Sequence, residues 1–163
     1  MSNVNLYIVA TPIGNLGDIT NRGLETLKNV DAVLCEDTRV TKKLLDHYNI
    51  ATKTISYHEH SKDSRVSEIL EILKNGKSLA LVTDAGTPGI SDPGGKLIES
   101  IVKNLPEVEI VPIPGPSALT AALSISGFPT DKFLFMGFPP HKNKRKKFFE
   151  ELAAANYTVA IYE

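Results

Sequence analysis

Acids, an arginine and histidines fall at the ends of short apolar runs in this chain, where their side chains can meet. Glu36, Asp37, Thr38 and Arg39 follow the run 32–35, and His58, Glu59 and His60 close a β-prone run that begins at 53. Carboxylates and imidazoles placed this way can take or give protons. An arginine can hold a phosphate through two parallel hydrogen bonds. The plain alternative is structural: Asp37 or Thr38 caps a helix beginning near Arg39, and Arg39 is a surface group. His58 and His60 share a strand face, but no third ligand stands at a suitable spacing, so a metal site is not expected.

Three loops rich in glycine and proline are the second kind of chemical signal. Thr83-Asp84-Ala85-Gly86-Thr87-Pro88-Gly89-Ile90-Ser91-Asp92-Pro93-Gly94-Gly95 joins the apolar run 78–82 to a helix-like segment. Its four glycines and two prolines fix a shape and let a ligand approach the backbone. A plain connector needs only a few residues. Ala10-Thr11-Pro12-Ile13-Gly14-Asn15-Leu16-Gly17 follows the first strand-like run, and Pro112-Ile113-Pro114-Gly115-Pro116-Ser117-Ala118 a later one. The first loop lacks the G-x-G-x-x-G dinucleotide fingerprint, although Glu36 stands about where a ribose-binding acid would. Pro12 removes an N–H donor, so the loop suits a ligand held by shape and carbonyls better than a phosphate. Each loop also has a bland reading as a rigid turn.

A third signal is charge. Lys142, Lys144, Arg145, Lys146 and Lys147 stand together with no acid before Glu150, whereas the rest of the chain is mildly acidic and the net charge is −1. Such a run is commonly a solvated face. Here it opens a helix, where cations oppose the helix dipole, so local stability does not account for it and binding of a phosphate backbone does.

These groups must be positioned by elements. Strand-like runs lie at 6–10, 32–36, 53–58, 78–83, 109–113 and 132–137, and helix-like segments at 20–29, 38–48, 62–75, 94–104, 117–126 and 143–155. The alternation predicts an α/β fold with a mainly parallel sheet flanked by helices. Thr20 and Ser61 read as N-caps and Gly76 as a helix stop. Gly127 to Asp131 is a break, giving a ligand-binding α/β domain over 1–128 and the start of a second α/β domain over 129–163. The β-prone run 157–162 stops with the chain, so a longer protein is expected. With 163 residues, 42% of them hydrophobic, a real core is expected. A single cysteine, Cys35, fits a reducing compartment. No signal-peptide pattern and no stretch near ~18 apolar residues is present, so a cytoplasmic, non-membrane protein is expected.

In order, T-P-I-G-N-L-G-D-I-T, E-D-T-R (Glu36–Arg39), H-E-H (His58–His60), V-T-D-A-G-T-P-G-I-S-D-P-G and P-I-P-G-P-S-A resemble the tetrapyrrole methylase superfamily over residues 5–163. Within it they resemble the bacterial subgroup that 2′-O-methylates a cytidine ribose of 16S ribosomal RNA. In the precorrin methylases the fourth-strand loop reads G-D-P; here it reads Gly86-Thr87-Pro88, which speaks against a tetrapyrrole substrate.

The resemblance implies S-adenosylmethionine (SAM) as cofactor, lying against the ends of the first, fourth and fifth strands. It implies a pocket of Ile13, Thr87, Ile90, Ser117 and Ala118, with Pro12, Gly14, Asp84 and Gly86 from the same loops and Tyr162 from the last run. It further implies a homodimer and, as partner, small-subunit ribosomal RNA or the small ribosomal subunit. For such chemistry Asp37 or His58 would accept the hydroxyl proton, Arg39 would hold a phosphate, and residues 142–147 would meet RNA. The rivals are a methyltransferase of a tetrapyrrole or other small molecule, and a non-catalytic SAM- or nucleotide-binding module.

Overall fold

The computed structural model describes residues 4–58, 61 and 63–163. Two compact units form, Met1–Ser117 and Ala118–Glu163; the first ends ahead of the break at 128 read from the sequence.

In the first unit, strands β1 (Asn5–Val9), β2 (Ala32–Cys35), β3 (Thr54–Ser56), β4 (Leu79–Leu81) and β5 (Glu109–Ile113) alternate with helices α1 (Asn21–Asn29), α2 (Thr38–His47), α3 (Asp63–Lys74) and α4 (Gly95–Asn104). All pairings are parallel and the order is β3-β2-β4-β1-β5. The apolar runs are near-continuous because both faces of a parallel sheet are covered. Alternate residues feed opposite layers. Leu6, Leu34, Leu79 and Leu81 meet Val66, Ile69 and Leu73 of α3 and Leu97 and Ile101 of α4. Val9, Val33, Cys35, Ala80 and Val82 meet Leu27 and Val30 at α1 and Leu44 and Leu45 of α2. Helices α1 and α2 thus cover one face, and α3 and α4 the other. Burying each such aliphatic side chain contributes about 1.5–3 kcal/mol.

The local signals act as their chemistry predicts. The Gly23 N–H donates to Thr20 Oγ1 at 3.0 Å, capping α1. Helix α3 stops where Gly76 takes φ +79°, a left-handed value suited to glycine. Ser61, read as a cap, accepts instead from the His58 N–H at 2.9 Å. Cys35 is fully buried, and burial pushes its thiol pKa up.

The second unit holds α5 (Ala118–Ser126), β6 (Phe133–Phe135), α6 (Arg145–Ala153) and β7 (Thr158–Ala160). Strands β6 and β7 pair in parallel, with α6 as their crossover. Tyr162 packs edge-on to Phe135 at 4.9 Å and beside Phe138 at 5.3 Å. Among the described residues no helix is long and apolar enough to cross a membrane.

Candidate functional site

Neighbouring strands β1 and β4 send their helices to opposite faces of the sheet. Their carboxyl ends therefore bound a crevice, the place where open α/β sheets take ligands. The crevice is tightly built. Thr11 and Gly86 exchange two backbone hydrogen bonds, at 2.9 and 3.0 Å, which rivet the first loop to the fourth. Gly86 has φ +90°, and a Cβ there would lie 3.5 Å from Ile13 Cγ2. A side chain there would be strained by the left-handed backbone rather than by lack of space. Thr87 Oγ1 donates to the Pro116 carbonyl at 3.1 Å, tying the fourth loop to the fifth. A Cβ on Gly115 would come 3.0 Å from Ala10 Cβ, so a side chain there would push the fifth loop off the end of β1 by a few tenths of an ångström.

The structure brings several of the expected pocket residues to this edge. Pro12, Ile13, Thr87 and Ser117 are half-buried, Gly86 is buried, and Gly14, Asp84 and Ile90 are exposed. Ala118 opens the second unit, and Tyr162 lies in that unit's aromatic group. A small-residue cradle floored by Ile13 fits the flat, largely apolar part of a nucleoside. Carboxylates at its border, Glu36, Asp84 and Asp92, fit a cationic centre better than a phosphate.

Beside the crevice lies an acid network that the sequence only partly shows. Thr83 is buried, its carbonyl accepts from Thr11 Oγ1 at 3.0 Å, and its hydroxyl donates to Glu36 Oε1 at 2.6 Å. Asp84 Oδ1 accepts from the Asp37 N–H at 3.3 Å. Asp37 is the N-cap of α2, accepting from the Arg39 N–H at 2.8 Å. Arg39 also clasps both Asp37 oxygens, with Nη2 to Oδ2 at 2.6 Å and Nε to Oδ1 at 3.0 Å. Side-chain and backbone hydrogen bonds from Arg39 pull the Asp37 pKa down to about 2. The Arg39 side chain is 86% exposed, so its outer edge can still take an anion. Asp92 behaves oppositely: burial first, then the Glu36 and Asp84 charges, push its pKa up, against the pull of the Thr83 hydroxyl. The sequence reading gave Thr11, Thr83 and Asp92 no role. Their one signal was position, at strand ends and inside the longest ligand loop.

His58 is exposed at the end of the third strand. Glu59 and His60 of the H-E-H motif lie outside the described residues. No group of three or more His, Cys, Asp or Glu among the described residues is arranged to hold a metal ion.

In the second unit, Lys142, Lys144, Arg145, Lys146 and Lys147 are all exposed around the start of α6. Helix α6 begins at Arg145, two residues after the expected start, because Lys144 takes a left-handed φ of +70°. Arg145 stacks over the Phe149 ring at 5.0 Å and donates to the Pro140 carbonyl at 3.3 Å. Within this run, among the described residues, only Lys146 has a carboxylate partner, Glu150 at 3.7 Å.

Residues 5–163 match the family model of tetrapyrrole (corrin/porphyrin) methylases. The chain belongs to this family. Among curated relatives, ribosomal RNA small subunit methyltransferase I of Synechocystis sp. is 51% identical over 159 residues, covering 97% of this chain and 56% of that protein. Its namesake in Bacillus subtilis is 48% identical, covering 97% of this chain and 54% of that protein. The chain thus spans about half the length of these relatives. Two solved structures share the tetrapyrrole methylase fold. A cobalt precorrin-4 methyltransferase superposes with TM-score 0.66 at 24% identity, over 99% of this chain and 69% of that one. Diphthine synthase superposes with TM-score 0.70 at 15% identity, over 96% and 63%.

Proposed function

We propose that the chain is the SAM-binding part of an RNA ribose 2′-O-methyltransferase acting on a cytidine of small-subunit ribosomal RNA. The observation that carries this reading is about half identity, along 97% of the chain, to proteins named for methylating ribosomal RNA of the small subunit. SAM supplies an electrophilic methyl group on a cationic sulfonium. The chain's part is to hold donor and acceptor in line and to manage one proton. Ile13, Thr87, Ile90, Ser117 and Ala118 are the proposed pocket walls, with Pro12, Gly14, Asp84 and Gly86 shaping the loops and Tyr162 added from the second unit. Arg39 is the proposed phosphate holder. Asp37, whose oxygens it occupies, fixes its direction. His58 is the proposed polar group on the far side of the same edge. Lys142, Lys144, Arg145, Lys146 and Lys147 are the proposed RNA contact, since five exposed cations with one carboxylate partner suit a phosphate backbone.

The reading extends to a cytoplasmic homodimer whose partner is the small ribosomal subunit or its RNA, with a SAM-binding domain over 1–128 followed by a linker and the first elements of a second domain over 129–163. A tetrapyrrole substrate is disfavoured by Thr87, which stands where precorrin methylases carry an acid. The test is methylation of small ribosomal subunits by the intact protein, with the modified nucleotide identified by mass spectrometry. A 2′-O-methylcytidine is expected. SAM binding without methyl transfer to any RNA would leave the non-catalytic module as the answer.

A further inference from the structure

A cavity of about 480 Å³ opens on the first unit beside the acid network, lined by Tyr57, Ser91, Asp92, Pro93, Gly94 and Lys96. Its size falls within the ~300–1,000 Å³ of small-molecule pockets. Asp92 is half-buried on its wall. The Thr83 hydroxyl interacts with its carboxyl. The same hydroxyl donates to Glu36 Oε1 at 2.6 Å. Burial, and then the Glu36 and Asp84 charges, oppose ionisation of Asp92 against the pull of the Thr83 hydroxyl, which Glu36 shares. Across the cavity, Lys96 does not cancel this, because its ammonium is held by Asp63 at 2.6 Å. The remaining titratable wall, Tyr57, is largely buried, and burial keeps its hydroxyl protonated. Thr83 also anchors the group to the crevice, through Thr11 Oγ1 on its carbonyl and the Thr11–Gly86 bridge beyond.

We propose that Asp92 accepts the proton of the substrate's ribose 2′-hydroxyl, with the sugar lodged in this cavity and Thr83 and Glu36 as positioning residues. The inference rests on the methyltransferase reading above. The O–H bond breaks toward Asp92, an O–CH₃ bond forms as the donor's S–CH₃ bond breaks, and that bond's electron pair returns to sulfur. Asp92 then gives the proton to water. A carboxylate whose surroundings oppose its charge is a better base than Asp37, whose charge Arg39 stabilises.

Asp92→Asn in the intact protein keeps the shape and removes the base. Single-turnover methylation of small ribosomal subunits should fall about a hundredfold, and the acid limb of its pH profile should vanish. SAM affinity by calorimetry should stay within about twofold. The variant should fold, since it removes a charge that burial opposes. Independently of turnover, carboxyl ¹³C shifts of aspartate-labelled wild type should show a group, missing from Asp92→Asn, that titrates above the ordinary 3.8. Turnover within about threefold of wild type with the limb intact, or an Asp92 titrating at or below that value, overturns the proposal. Failure of the wild type itself to transfer methyl overturns the underlying reading, and this inference with it. Wild-type turnover beside an unimpaired Asp92→Asn removes Asp92 alone.

Discussion

Asp37 and Asp92 stand on the same sheet edge, and their surroundings treat them oppositely. Asp37 is a helix cap with an arginine on both oxygens, and its charge is welcome. Asp92 is half-buried on a cavity wall near two further acids, and its charge is resisted, by burial first. The difference teaches that residue type and spacing mark where acids gather, while the partners of each acid decide what it can do. The visible E-D-T-R motif yields a charge holder. The inconspicuous aspartate inside the loop yields the better proton acceptor.

Loss of the Thr83 hydroxyl should break the contrast most sharply. Thr83→Val leaves Glu36 without its donor and releases Asp92 from the network. Methylation by the intact protein should drop tenfold to about a hundredfold, and the pH limb should move. Unchanged turnover would show that the two acids are independent of Thr83. Next in size, Asp37→Asn should keep the cap but loosen Arg39. Turnover should fall about tenfold, through weaker RNA engagement rather than weaker SAM binding. A rise in KM for the ribosomal subunit is the expected sign, and a fall in kcat alone would reassign Asp37 to the chemistry.

Stability should sharpen the contrast by sign. Asp37 has a folded pKa of about 2 against 3.8 unfolded, so its contribution is present above 3.8 and is lost as pH falls toward 2. Asp92 is raised, so its penalty is absent below 3.8 and grows as pH climbs through its folded pKa. Asp92→Asn should therefore raise the Tm at pH 7 relative to pH 4, and Asp37→Ala, which also removes the α2 cap, should lower it more at pH 7 than at pH 2. Melting curves of this chain check both. The smallest effect concerns the second unit. Lys144, Arg145 and Lys147 changed together to Ala should flatten the log–log salt dependence of RNA binding by about two. The pH behaviour of the first unit should stay unchanged.

The fold was legible because its signals are local. Thr20, Gly76 and the alternation of apolar runs each act within a few residues, and the five-stranded parallel sheet follows from them. The crevice was legible because glycines such as Gly86 and Gly115 advertise close approach. The acid network was not, since it depends on strand order. Thr83 meets Glu36 only because β4 lies beside β2, and it meets Thr11 only because β1 is its other neighbour. Nothing in the spacing of Asp92 reveals that its neighbours would be acids.

The rivet between Thr11 and Gly86 has a kinetic consequence. With the first and fourth loops bonded to each other through their backbones, and the fourth to the fifth through the Thr87 hydroxyl, the slot cannot widen without breaking these hydrogen bonds. A ligand is then sorted by thickness before it is sorted by contacts. Because no loop has to be ordered on arrival, entry costs little conformational entropy. Stopped-flow capture of the nucleoside end should be a single phase, linear in ligand concentration, with no slow closing step behind it.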